Sequence, residues 1–133
     1  MTIRPSSTWR EDVAAEAREV AAGRLEPGDA FLAGLFPEAL LTATDTVLQE
    51  FETDVRALAE LSDERVMAVV ERVVLALNAV NESFDGAGYE TDEREQLCEY
   101  IDRVLADGGV DVPALAGRLG IDRYEITDEW RDW

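Results

Sequence analysis

The chain has 133 residues, 47% of them hydrophobic, and thirty acids against twelve bases leave a formal charge of −18. That length suits one ordinary domain, able to bury roughly 68% of the surface its unfolded chain exposes. Apolar runs such as Val66 to Leu77 exclude a disordered chain. The charge disfavours DNA, RNA and anionic lipid, because each phosphate contact needs a cation.

Apolar residues recur at helical spacing and strand-type alternation is nearly absent, which predicts an all-α fold. The first helix is expected from Trp9 to Ala22, with Thr8 and Glu11 as a capping box, Trp9, Val13, Ala17 and Val20 on one face, and Gly23 as the stop. Between Pro27 and Pro37 only a short element fits, about Asp29 to Phe36, and its Ala30, Phe31, Leu32, Leu35 and Phe36 are expected to cover one edge of the core. A second long helix is expected from Thr44 to Leu61, with Val47, Leu48, Phe51, Val55 and Leu58 as its stripe. Ser62 then caps a third helix, Asp63 to Ser83, whose Val66, Val69, Val70, Val73, Val74, Leu77 and Val80 wrap well over a third of its surface. A helix apolar on so many sides is central, and burial must offset the poor helix propensity of its valines. Thr91 is read as the cap of a fourth helix ending at Gly108 and Gly109, with Leu97, Ile101, Val104 and Leu105 inward. Asp111 caps a short helix from Val112 to Leu119 with Pro113 in its first turn, and Thr127 is read as the cap of a last turn running to Trp133. The expected architecture is an irregular bundle of four main helices plus short C-terminal ones, in one domain over residues 1–133.

All twelve bases are arginine, as a GC-rich bacterial or archaeal genome would give. The chain contains no histidine, which removes Ser-His-Asp and Cys-His arrangements, histidine-bearing zinc sites and the usual di-iron carboxylate bundle. No glycine-rich phosphate loop is present. The single cysteine, Cys98, excludes an internal disulfide and fits a reducing compartment; it is read as a structural thiol among acids. With no basic stretch before an apolar core at the N-terminus and no apolar run near the roughly 18 residues a spanning helix needs, a cytoplasmic protein without a membrane partner is expected.

Two local patterns bear comparison with known motifs. Asn81, Ser83, Asp85, Gly86 and Asp92 stand at the first, third, fifth, sixth and twelfth positions of a calcium loop, so residues 81–92 resemble an EF-hand. The resemblance implies a divalent-cation site with Asn81, Ser83, Asp85 and Asp92 as ligands. It departs from the motif at Asn81, usually Asp, at Gly88, usually a branched aliphatic, and at Asp92, usually a bidentate Glu. The stretch Val112 to Trp133 resembles a helix-turn-helix through Leu115, Ala116, Leu119, Gly120, Ile121 and Ile126, which implies a recognition helix after Gly120. Its groove-facing positions hold Asp122, Glu125, Asp128 and Glu129 against Arg123 and Arg131, so their sign argues against nucleic acid.

The remaining constellation is an acidic stripe, Asp92, Glu95, Glu99 and Asp102, spanning three turns of the fourth helix with Arg103 beside it. It reads as a solvated face or as a docking surface for a basic protein. Trp130 and Trp133 either dock on the core, the expectation for Trp130, or join that surface. The functional expectation is a non-catalytic, cofactor-free domain that binds a basic protein, in the manner of an immunity protein or inhibitor. Its alternatives are calcium binding at residues 81–92, an enzyme built on carboxylates, and an acidity that reflects adaptation to high internal salt and carries no partner information.

Overall fold

A computed structural model describes residues 2–86 and 88–133. Among them there is no strand, and six α-helices follow in order: α1 (Pro5–Ala21), α2 (Leu32–Leu35), α3 (Glu38–Arg56), α4 (Asp63–Ser83), α5 (Thr91–Asp107) and α6 (Val112–Leu119). Single 3-10 turns lie at Pro27–Asp29 and Arg123–Glu125. The chain is all-α, with four long helices and short pieces between and after them.

Several boundaries differ from the sequence expectation, each for a local reason. α1 begins four residues before Trp9, because Pro5 is preorganised for the first helical turn. Arg4 is its N-cap, and Thr8 lies inside the helix. α3 also begins early, directly after Pro37, and stops at Arg56. Leu58 still packs against the core from the connection that follows. Thr91 is the first helical residue of α5 and Glu90 its N-cap, without a side-chain cap bond. The Ser62 and Asp111 caps are as expected, accepting from the Arg65 and Ala114 amides. No second helix follows Gly120; the chain makes the turn Arg123–Glu125 and further turns, so the recognition helix of the helix-turn-helix resemblance does not form. Thr127, expected to cap the last turn, is buried and its hydroxyl faces the Cys98 thiol at 3.7 Å.

One segment, Pro27–Arg56, contains an 18-residue window of mean hydropathy 1.3, long and apolar enough by composition to cross a membrane. The backbone there is broken at Pro37 into α2 and α3. Glu38 and Asp45 in that segment both accept from the Arg10 guanidinium of α1.

α3 and α4 share the most extensive contact between elements, and α3 also lies against α1 and α5. α4 buries eight residues, more than any other element, with Val70, Val74 and Leu77 fully enclosed. Burial of that order, at about 25 cal/mol per Å² of apolar surface, offsets the rotamer freedom its valines lose. Trp9 anchors α1, stacking on Phe36 at 5.2 Å while its indole N–H donates to Gln96 of α5. The α1–α3 seam is polar. Arg4 donates twice to Glu52, which also accepts from the Tyr100 hydroxyl. Burial pushes the Glu52 carboxyl up, but the bonds from Arg4 and Tyr100 outweigh it and hold its pKa below the usual range.

The connection between α4 and α5 turns inward. Tyr89 is fully buried, its hydroxyl 2.7 Å from that of Thr44 and its amide donating to Asn81 Oδ1. Burial pushes its phenol up to about 12. Gly88 lies so close to Asn81 that a Cβ would sit 3.2 Å from Oδ1. At the other end of α5 the approach is tighter still, for a Cβ on Gly108 would meet the Val55 Cγ1 methyl of α3 at 2.6 Å. Gly108→Ala is therefore expected to destabilise the fold by about 1–3 kcal/mol. Combining it with Val55→Ala should cost less than the two single changes summed, as read from denaturant unfolding of the four proteins in the cycle.

Candidate functional site on the outer face of α5

α5 carries an inward stripe of Glu93, Leu97, Tyr100, Ile101, Val104 and Leu105. Asp92, Glu95, Gln96, Glu99 and Arg103 are exposed. The four acids expected to form a uniform stripe fall into three environments. Asp92 and Glu95 have no ion-pair partner among the described residues. Glu99 pairs with Arg103 one turn on, both solvent-exposed. Asp102 is held by both arms of Arg123, at 3.0 and 2.7 Å, with 13% of its side chain exposed.

Two grooves flank the helix. The larger, about 510 Å³, runs between α5 and the C-terminal segment, bounded by Glu95, Cys98, Glu99, Asp102, Arg123 and Tyr124 among others. The second, about 270 Å³, lies toward the N-terminal segment and is bounded by Thr2, Ile3, Thr8 and Gln96. Glu99 and Arg103 belong to both, forming the ridge that separates them. The Cys98 thiol is half-buried at the floor of the larger groove, 3.6 Å from Arg131 Nη1.

The two C-terminal tryptophans do not join this face. Trp133 is 6% exposed and meets the Tyr89 ring edge-on at 6.0 Å. Trp130 packs partly buried against the core. Asn78 of α4 holds the segment down, its amide donating to the Trp130 carbonyl at 2.7 Å and its Oδ1 accepting from the Asp132 amide at 2.9 Å. The 81–92 ligand set is likewise dispersed. Asn81 Oδ1 accepts from the Tyr89 amide, and Ser83 Oγ donates to the Val80 carbonyl. Asp85 lies in the turn with a positive φ of 59°, and Asp92 sits in the first turn of α5. Among the described residues no three histidine, cysteine or acidic side chains gather in a way that would hold a metal ion.

Sequence reasoning passed over Glu93, the one buried acid of α5. The signal was present, because Glu93 continues the inward spacing of Leu97, Tyr100 and Ile101 by one turn. Burial raises its pKa, and the neighbouring charges of Glu90 and Asp92 raise it further. One of its oxygens, Oε1, has no hydrogen-bond partner among the described residues. Asn78 and Asn81 carried no periodic signal as polar residues on an apolar helix, and only their tertiary partners define their roles.

Comparison with protein-family models, with curated proteins and with solved structures gives no match.

Two measurements check this description. Above its raised folded-state pKa, Glu93 is ionised in both the folded and unfolded chain, and its buried charge costs stability. That cost is relieved as pH falls through the folded value. Glu93→Gln should therefore raise the melting temperature at neutral pH by a few degrees, with the gain shrinking on acidification. Asn78→Ala removes two hydrogen bonds to the C-terminal segment. It is expected to cost about 1–3 kcal/mol and to speed amide exchange over residues 126–133.

Proposed function

We propose that this chain is a non-catalytic acidic domain that binds a basic protein, of the kind that neutralises a cationic toxin or nuclease. The observation that carries the proposal is the distribution of the arginines. Ten of the twelve form ion pairs with acids of the same chain. Of the other two, Arg94 donates to the Tyr89 carbonyl and Arg56 to the Thr53 hydroxyl. Nineteen acids have no ion-pair partner among the described residues.

The surface is therefore negative with little free cationic charge to interrupt it. Such a field accelerates encounter with a cationic protein and repels nucleic acid. Against a nuclease, the carboxylates would take the place of the substrate's phosphates. The missing histidine, and the lack among the described residues of three acids gathered as a metal ion would need, favour recognition over carboxylate chemistry.

Binding to basic proteins encoded beside this gene, measured across ionic strength, tests the proposal. Sub-micromolar affinity at low salt, weakening steadily as salt rises, is expected. Affinity no better than micromolar for every candidate, together with unfolding of the free chain at low salt, would instead assign the acidity to a high-salt environment.

A further inference from the structure

Six large hydrophobic side chains are exposed among the described residues: Ile3, Phe31, Leu61, Leu75, Leu119 and Tyr124. Five of them have an arginine within four positions, in order Arg4, Arg65, Arg72, Arg118 and Arg123. Tyr124 carries the Arg123 guanidinium over its ring, 5.6 Å from the centroid. The groove beside it sets Arg103, Arg123 and Arg131 against Glu95, Glu99 and Asp102, a balance that selects no sign of partner. Phe31, 65% exposed, is the exception, with its nearest arginine, Arg24, seven positions away.

The segment around Phe31 holds more apolar surface than the core takes up. Ala30, Phe31, Leu32, Leu35 and Phe36 were expected to cover the core together. Phe36 is buried and Leu32 and Leu35 pack in part, while Ala30, Phe31 and Ala33 face solvent. α2 is a single turn, so it offers the core one side only, that of Leu32, Leu35 and Phe36 at positions i, i+3 and i+4. Phe31 is left outside. The 18-residue apolar window within Pro27–Arg56 is only 28% buried. A Cβ added at Gly28 or Gly34 would meet nothing within 4 Å, so the space around the segment is open.

The charge beside this apolar surface has one sign. Residues 25–37 contain two acids, Glu26 and Asp29, and no base. Both are exposed and without an ion-pair partner among the described residues. A third acid, Glu16 of α1, reaches the segment directly, its Oε1 accepting from the Leu32 amide at 2.9 Å. The arginines that adjoin the segment in sequence or through Glu38 are occupied, Arg24 by Glu19 and Arg10 by Glu38 and Asp45.

We infer that the segment Pro27–Phe36 is the docking face for the basic partner, with Phe31 as its apolar anchor and Glu26 and Asp29 as its rim. This deepens the proposed function and rests on it. Protein interfaces join an aromatic or apolar anchor to a polar rim, and the anchor dominates the binding energy. Charge complementarity chooses the occupant. A second copy of this chain, or an anionic lipid surface, would set like charge against Glu26 and Asp29, whereas a cationic protein is attracted by both.

Backbone-amide NMR spectra recorded with two synthetic peptides test the inference. One is nona-arginine, which offers charge alone; the other is an amphipathic helix of arginine, alanine and leucine. Shift changes from the amphipathic peptide are expected to concentrate on residues 26–36 and on the turn of α1 around Glu16. This peptide should bind roughly tenfold tighter than nona-arginine. Phe31→Ser, which alters only an exposed side chain, should abolish that advantage and leave nona-arginine binding unchanged, and Tyr124→Ala should preserve it. Gly34→Arg, placed in open space, should weaken the amphipathic peptide several-fold, and Gly34→Glu should not. Shifts centred elsewhere, an undiminished advantage in Phe31→Ser, or equal effects of the two Gly34 variants would overturn the docking face while leaving the basic-partner proposal standing. So would dimerisation of the free chain, or its attachment to phosphatidylcholine vesicles, if either were lost in Phe31→Ser. No binding of either peptide at low salt would overturn both.

Discussion

Tyr89 is the point on which the arrangement of the bundle depends. It lies in the connection between two helices, where a solvated loop would be ordinary, yet it is fully buried. A buried residue in a loop must find partners for its backbone as well as its side chain. Each partner comes from a different part of the chain. The hydroxyl meets Thr44 of α3, the amide donates to Asn81 of α4, and the carbonyl accepts from Arg94 of α5. Its ring packs between Trp9 of α1 and Trp133 of the C-terminal segment. Because Tyr89 precedes α5 by only two residues, the same contacts set the rotation of α5 about its own axis. The face that α5 presents to solvent is therefore fixed by a tyrosine on the other side of the helix.

Charge is organised by a second constraint. With thirty acids and twelve arginines, the fold brings five of the arginines to carboxylates of another element, in Arg4–Glu52, Arg10–Asp45, Arg72–Asp54, Arg118–Asp63 and Arg123–Asp102. The exposed pairs among them add little stability individually. Together they neutralise acids at the seams between elements and leave the outward acids unopposed. The negative field is thus a property of the folded chain as well as of its composition.

The site was partly legible before the structure. The stripe Asp92, Glu95, Glu99, Asp102 follows from helical spacing, and α5 does carry these residues on and beside its solvent side. Spacing along one helix says nothing about what lies next to it, however. It could not reveal that Arg123 occupies Asp102, 21 positions away, nor that Ile3 and Tyr124 flank the ridge from segments outside the long helices. Trp133 was ambiguous for a related reason: a terminal aromatic has no periodic pattern to declare its direction. Asn78 decides it by two bonds to the backbone.

By itself the sequence determined the helical class, the extent of α4 and α6, the caps at Ser62 and Asp111, and the sign of the surface. These depend on periodicity, on short-range capping chemistry and on composition, all of which are local or additive along the chain. Only the tertiary structure decided where α1 and α3 begin relative to the core, which acids stay free, and which polar side chains are buried. It also decided that two distant ends of the chain flank α5, one on each side of the Glu99–Arg103 ridge. Those features arise from contacts between residues remote in sequence, and no local propensity encodes which remote partner a side chain will meet.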